Sequence, residues 1–391
     1  MVAAEPENEH VLDRRHDAKP VLPLYVDVSP LRERRLTGIA RFAARLICAL
    51  AKSRPLMLFI PGIKDEIPLD KSNLPDPGKG LDEWARQLWK LPHQRHQQAI
   101  ARQTTALFPA LRPGTRYFKH EIGIFHDFTP LLLPWCHSEA TRQSFGAFFA
   151  VTAALCDRMI TNSQSTHQDA SWLSTATKVI PGYPGPSLCV EHHVSSRIRK
   201  RRSNVALIVG TLEPRKNGLF VLDWFKNSPA LPADMELWWA GPRGWWATKE
   251  HLRDLSHLKA TGKRRVRFLG MVSDHRLCEL YQEATFTLYP SLYEGFGFPV
   301  LDSLLHGAPV LCSYNSSLKE FDSPGVFYFD PCDRSSLDEA WNQWRDAREI
   351  VIDREALRRR FSWDRLAQSV WDQVLELEAA SLKAAGGVIC A

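Results

Sequence analysis

The 391-residue chain has no apolar run long enough to cross a bilayer. Its longest apolar stretch, around 145–156, is well short of the roughly 20 residues a spanning helix needs. The opening residues, Met-Val-Ala-Ala-Glu-Pro-Glu-Asn-Glu-His, lack the basic and apolar segments of a signal peptide. The expectation is a cytoplasmic protein, peripheral to the inner face of the cytoplasmic membrane if it meets a membrane at all. The eight cysteines include no Cys-x-x-Cys pair and none at zinc-ligand spacing with histidine, so they read as reduced thiols. There is no Asp-x-Asp to hold a divalent metal against a diphosphate, and no Gly-x-x-x-x-Gly-Lys-Ser/Thr loop. Gly295-Phe-Gly297 begins like a dinucleotide fingerprint, but its third glycine is absent. The net charge of +6 is too small to imply nucleic acid, although it suits an anionic ligand or an anionic membrane surface.

What is present alternates. Apolar runs at 21–28, 56–60, 122–125 and 158–161 read as strands. Helical spacing of Ile39, Phe42, Leu46, Ile47 and Leu50 follows the first, and further helices are expected at 141–156 and 164–173. The stretch 81–108 reads as helical, with Leu81, Trp84, Leu88 and Trp89 on one face. The pattern restarts with strands at 205–209, 236–240, 266–269, 286–289, 309–312 and 326–329, and ends in a helix from 363 with Leu366, Val370, Val374 and Leu375 on one face. Two α/β domains with parallel sheets follow from this alternation. The expected boundaries are a disordered tail at 1–20, a first Rossmann-like domain at 21–186, a linker at 187–203 and a second domain at 204–362. A last helix, 363–391, returns to the first domain. The basic run at the end of the linker reads as solvated charge.

In parallel sheets ligands bind beyond the carboxyl ends of strands. Four places qualify. In Tyr289-Pro-Ser-Leu-Tyr-Glu-Gly-Phe-Gly-Phe-Pro-Val-Leu-Asp302, a strand runs through a glycine-rich turn into a helix that begins near Pro299. Gly295 and Gly297 permit close backbone approach, and a helix start favours an anion. Glu294 and Asp302 bring carboxylates that accept hydrogen bonds from sugar or ribose hydroxyls. In Gly210-Thr-Leu-Glu-Pro-Arg-Lys-Asn217, Lys216 is a point charge for phosphate with Arg215 beside it; alone, it is equally an ordinary loop lysine. In Phe125-His126-Asp127, the histidine taken alone is a structural one. Thr37-Gly38 precedes the first helix, as in any Rossmann unit.

Together these segments resemble the family 4 glycosyltransferases. Glu294-Gly-Phe-Gly-Phe-Pro-Val-Leu-Asp302 keeps the family's spacing of two carboxylates, with Asp in place of the second Glu. Val209-Gly-Thr-Leu-Glu-Pro-Arg-Lys-Asn217 is similar to its phosphate loop, with Thr211 where some relatives carry Arg. Phe125-His-Asp-Phe-Thr-Pro130, Ile160-Thr-Asn-Ser-Gln-Ser165 and Phe361-Ser-Trp-Asp-Arg-Leu-Ala367 match other family segments. The resemblance spans roughly 21 to 380. It implies a GT-B fold, two Rossmann-like domains facing across a cleft, and a retaining hexosyltransferase needing neither metal nor cofactor. It implies His126, Lys216 and Glu294 as catalytic residues. Gly38, Arg215, Lys216, Glu294, Gly295, Phe296, Gly297, Phe298 and Asp302 would bind the donor, with Asp302 on the ribose.

The donor expected by overall resemblance is GDP-mannose, and the acceptor a glycan or polyprenyl-diphosphate-linked oligosaccharide of a bacterial surface polysaccharide. A UDP-sugar donor stays open, as do a non-catalytic glycan-binding scaffold and, more remotely, an NAD-dependent oxidoreductase. Trp84, Trp89, Phe108, Tyr117 and Phe118 lie among Arg86, Lys90, Arg95, Arg102, Arg112, Arg116 and Lys119. They form either a membrane-facing surface or a core with solvated charges around it. Trp238 and Trp239 read as a buried strand; Trp245 and Trp246 read as packing or as a stacking platform.

Overall fold

The computed structural model describes residues 22–33, 36–112, 114–173, 178–188, 204–244 and 264–386. The expected tail at 1–20, most of the expected linker, and Trp245 and Trp246 lie outside the described residues. Two sheets organise the chain. The first runs β4-β3-β2-β1-β5-β6-β7-β8 and the second β11-β10-β9-β12-β13-β14.

In the first domain β1 (Leu24–Asp27) leads to α1 (Gly38–Ala51), then β2 (Leu56–Phe59) and β3 (Asp65–Leu69). Helix α2 (Leu81–Leu88), β4 (Gln94–Arg95), α3 (Gln98–Ala101) and β5 (Thr105–Phe108) follow. Then come β6 (His120–Phe125), α4 (Thr129–Leu132), α5 (Glu139–Leu155), β7 (Arg158–Thr161), α6 (Gln164–Leu173) and β8 (Val179–Pro181). This sheet is not wholly parallel, because β3 runs antiparallel to β2 and β4 antiparallel to β3. Pro61-Gly62 directly after β2 turns the chain, with Gly62 at φ +82°, and so short a connection only reverses direction.

The helix expected over 81–108 ends at Leu88. Pro92 removes a backbone donor and turns the preceding residue away from helix. Further on, Thr105–Phe108 forms β5, fully buried between β1 and β6. Of the aromatics in this region, Trp84, Phe108 and Phe118 are core residues and Trp89 packs against the core, so the buried reading holds for them.

The second domain comprises β9 (Val205–Val209), α7 (Gly218–Asn227), β10 (Glu236–Ala240), β11 (Arg265–Gly270), α8 (Asp274–Glu283) and β12 (Phe286–Tyr289). It continues with α9 (Phe298–Leu305), β13 (Val310–Ser313), β14 (Val326–Phe329), α10 (Arg334–Asp346) and α11 (Arg354–Arg360). All six strands are parallel. Counted from β9, their order is 3-2-1-4-5-6, the doubly wound arrangement whose switch point falls between β9 and β12. Trp238 and Trp239 are buried in β10.

The last helix, α12 (Trp363–Gly386), joins the first domain's core. Leu366, Ala367, Val370, Trp371, Val374 and Leu377 pack with Phe42, Leu46 and Leu50 of α1. Leu375, expected on that face, is instead exposed. It follows Val374 by one position, a rotation of roughly 100° in a helix of 3.6 residues per turn.

Candidate active site

The loops after β9 and β12 leave adjacent strands at the switch point. In the first, Gly210 takes φ +151° and Asn217 is left-handed at φ 54°. Asn217 Nδ2 donates to the Pro331 carbonyl (2.8 Å), and Trp239 Nε1 donates to the Gly210 carbonyl (2.9 Å). The loop between them is thereby set, and Arg215 and Lys216 turn toward the second loop. In that loop Glu294 receives both: Lys216 Nζ lies 2.5 Å from Oε1 and an Arg215 guanidinium nitrogen 2.7 Å from Oε2. Lys216 Nζ also donates to the Tyr289 hydroxyl at 2.8 Å. All three charged groups are largely buried.

Burial alone would raise the Glu294 carboxyl, but Arg215 and Lys216 outweigh it and pull it down to about 2. Burial opposes the Arg215 charge, yet Glu294, Asp127 and Glu213 raise its pKa. Burial pulls the Lys216 ammonium down, against Glu294. Glu294 is therefore ionised across the working pH range, under two cations. An ammonium has three N–H donors. Two are engaged by Glu294 and Tyr289, which leaves one for a ligand oxygen.

The turn carrying Glu294 is clamped from below. Glu294 N donates to Ser316 Oγ at 3.0 Å, and Ser317 Oγ lies 2.8 and 2.9 Å from the Glu294 and Phe296 carbonyls. Ser316 holds φ 40° to do so. Gly297 caps α9 at φ +106° and packs against Leu318 and Phe321, where a Cβ would come within 2.7 Å of Leu318. Phe296 is a core residue packed on Phe321 and Phe361, while half-buried Phe298 stacks on Trp363.

Across the cleft, a Cβ on Gly295 would stand 1.9 Å from the His126 carbonyl oxygen. His126 Nε2 donates to the Pro109 carbonyl at 2.8 Å, and burial holds its pKa low. The ring is therefore neutral at pH 7 with Nδ1 as acceptor, and it meets Phe42 edge-on at 4.6 Å. The seam continues on both sides. Thr166 Oγ1 donates to the Gly295 carbonyl (3.1 Å), and the Tyr293 hydroxyl donates to Asp169. Glu320 accepts from the amides of Gln164 and Ser165 at the start of α6, where a carboxylate meets the positive end of the helix. Arg41 of α1 pairs with Asp274 at 2.6 Å.

Gly38 opens α1 with nothing within 4 Å of its would-be Cβ. Asp302 is not brought to the Lys216–Glu294 pair. It is buried in α9 and accepts from Ser187 N (3.0 Å), Ser187 Oγ and Leu188 N (3.4 Å). Its acceptor capacity thus holds the chain leaving the first domain. Sequence reasoning did not single out Ser316, Ser317, Tyr293, Glu320 or Arg41; Tyr293 directly precedes Glu294 in the glycine-rich segment, whereas Ser316, Ser317 and Glu320 lie outside every segment quoted above. Tyr289, the last residue of β12, was visible only as a strand end. Among the described residues no three of His, Cys, Asp and Glu stand together as metal ligands, and no helix is long and apolar enough to cross a membrane.

Burial raises the Asp302 carboxyl to about 6, against the Ser187 and Leu188 hydrogen bonds. A folded-state pKa above the unfolded value means stability present in full below about pH 4 and lost as pH rises through 6. The stability of the wild type relative to Asp302→Asn is expected to fall by up to about 3 kcal/mol between roughly pH 4 and 7. Urea denaturation at several pH values checks this, and a pH-independent difference would contradict it.

Two Rossmann-like domains with their strand ends facing across a cleft, joined again by the last helix, define the GT-B class. Residues 191–361 match the family described as Glycosyl transferases group 1. The chain carries that family's domain and is a glycosyltransferase. It is 27% identical over 294 residues to O-antigen chain mannosyltransferase B of Escherichia coli, covering 70% of this chain and 69% of that protein. To serotype-specific mannosyltransferase WbdA of Escherichia coli it is 24% identical over 241 residues, 56% of this chain but only 29% of that longer relative. Among solved structures, sucrose-phosphate synthase from Thermosynechococcus elongatus superposes with a TM-score of 0.62 at 16% identity, over 92% of this chain and 100% of that one. Anabaena HepE in complex with UDP and glucose gives 0.59 at 16% identity, over 90% and 98%. At such identities the likeness is one of fold.

Proposed function

We propose that the chain is a family 4 enzyme that transfers mannose from GDP-mannose, with retention at C1 and without a metal ion. The acceptor is a glycan carried on a polyprenyl diphosphate in bacterial surface polysaccharide synthesis, met at the cytoplasmic face of the membrane. The observation that carries the reading is the pair of cations, Arg215 and Lys216, converging on Glu294 at the switch point. The mannosyl choice is supported by the relatives named above.

In the reaction, the bond between sugar C1 and the leaving phosphate oxygen breaks and C1 becomes oxocarbenium-like. The acceptor hydroxyl attacks from the same face, its proton passes to the leaving phosphate oxygen, and the nucleoside diphosphate departs. Negative charge grows on that oxygen, where fixed donors and cations lower the barrier. Lys216, with its remaining N–H, and the backbone at Gly297 and Phe298 supply this. Glu294 orients the sugar hydroxyls, and neutral His126 accepts from one through Nδ1. Gly38 brings the first turn of α1 to the diphosphate. Asp302 reaches a ribose only if Ser187 gives way.

The test is transfer from GDP-mannose in the presence of a chelator, with the product anomer read by NMR. An α-mannoside is expected; a β-product, or transfer only after metal is restored, would contradict the mechanism.

A further inference from the structure

The Lys216 side chain is held along its length. Its stem lies across Gly210, where an added Cβ would meet Lys216 Cε at 3.4 Å and Cδ at 3.6 Å. Its head lies 2.5 Å from Glu294 Oε1 and 2.8 Å from the Tyr289 hydroxyl, and 5.0 Å from the centre of the Tyr289 ring. An ammonium carries three N–H donors in a fixed tripod. With one of them held by a carboxylate, the other two sweep a cone. With two held, the third has a single direction.

Tyr289 is suited to be the second hold. It ends β12, pairs with Cys312 of β13, and its carbonyl accepts from Ser313 Oγ at 3.4 Å. Its ring is buried in the core with Phe296 and Leu318. Burial first, and Glu294 next, push its phenol well above the usual range, so the hydroxyl stays protonated. It therefore offers the ammonium a lone pair and no charge. A second carboxylate there would compete with a phosphate for Lys216, whereas a neutral oxygen fixes the direction and leaves the charge. Arg215 does not take this part. Its Nη1 is engaged by Glu294 (2.7 Å) and the Tyr293 carbonyl (2.9 Å), and its Nη2 by Glu213 (3.0 Å).

We infer that Tyr289 is a positioning residue for sugar transfer: its hydroxyl fixes the direction of the one Lys216 N–H left for the leaving phosphate oxygen. The inference rests on the transferase reading and adds to it a residue that acts only through Lys216.

Tyr289→Phe removes one oxygen and keeps the packing of the ring, so the fold is expected to persist, as circular dichroism would verify. With GDP-mannose as donor and a prenyl-diphosphate glycan as acceptor, kcat should fall about tenfold. KM for the donor should change less than about threefold, because the lost alignment acts on charge that grows only in the transition state. The charged and titratable groups facing Lys216 are Glu294, Arg215, Glu213 and Tyr289, and only the last is altered. The ammonium loses an acceptor, so the basic limb of the kcat profile should move to lower pH by about 1 unit. In a Lys216→Ala background, Tyr289→Phe should lower kcat by less than about twofold more, since nothing is left to position. A purely structural tyrosine would lower kcat by the same factor in both backgrounds and leave the basic limb in place. That result, an unchanged kcat in the single variant, or loss of its fold overturns the inference while the wild type still transfers. A wild type that transfers no sugar removes the transferase reading itself, and the inference with it.

Discussion

Lys216→Ala is expected to lower kcat for sugar transfer roughly 100- to 1,000-fold, the cost of removing one preorganised charge donor from a developing anion. The fold should persist, because Glu294 keeps its second partner, Arg215, at 2.7 Å. The Tyr289 hydroxyl loses its 2.8 Å donor, but Tyr289 remains packed in the core beneath the site. Lys216→Arg should not rescue activity, since a planar fork does not replace a compact ammonium seated between a carboxylate and a phenol. Single-turnover kinetics separate the chemical step from product release, and circular dichroism verifies the fold. Near-normal transfer in Lys216→Ala would remove the loop after β9 from the chemistry.

Gly295→Ala tests the cleft rather than the charge. An added methyl would lie 1.9 Å from the His126 carbonyl oxygen and 3.0 Å from Asp127 Cβ. Both obstacles belong to the first domain, and the nearer is backbone, so it does not yield by a rotamer change. The domains must separate along the seam formed by Thr166, Tyr293 and Glu320. A displacement on the order of 1 Å between reacting groups costs about 100-fold in rate, and a loss of that size is expected. Nucleotide affinity should change far less, because the Arg215–Lys216–Glu294 group lies wholly within the second domain. Measuring kcat alongside GDP affinity distinguishes the two effects. An unchanged kcat would mean that the closed approach of the domains is not the reacting geometry.

The second domain was the more legible half. Its strands are continuous apolar runs such as Val-Ala-Leu-Ile-Val at β9 and Phe-Thr-Leu-Tyr at β12, because a parallel sheet buries both faces. Its loops carry glycines where the backbone turns. The first domain hid the antiparallel β3, and it hid β4 and β5 within 81–108, where Trp84 and Leu88 keep helical spacing up to the break near Pro92. Short apolar runs do not distinguish strand from helix, and Thr-Ala-Leu-Phe of β5 is only four residues long. At the site, Glu294, Lys216, Arg215, His126 and Gly295 were legible because they follow strand ends in recognisable segments. Asp302 kept the spacing of a ligand-binding carboxylate, but spacing along a helix does not reveal that Ser187 caps it. Ser316, Glu320 and Arg41 act through tertiary approach alone, which leaves no periodic trace in the sequence.

The most direct test remains transfer from GDP-mannose, under chelator, to a synthetic prenyl-diphosphate glycan, followed by NMR and by mass. Metal-free formation of an α-mannosidic product, with UDP-glucose inactive in parallel, is the predicted result. Transfer from UDP-glucose alone, or a β-linked product, would contradict the donor or the stereochemistry, and no transfer or donor hydrolysis from any nucleotide sugar would contradict the active-site assignment itself.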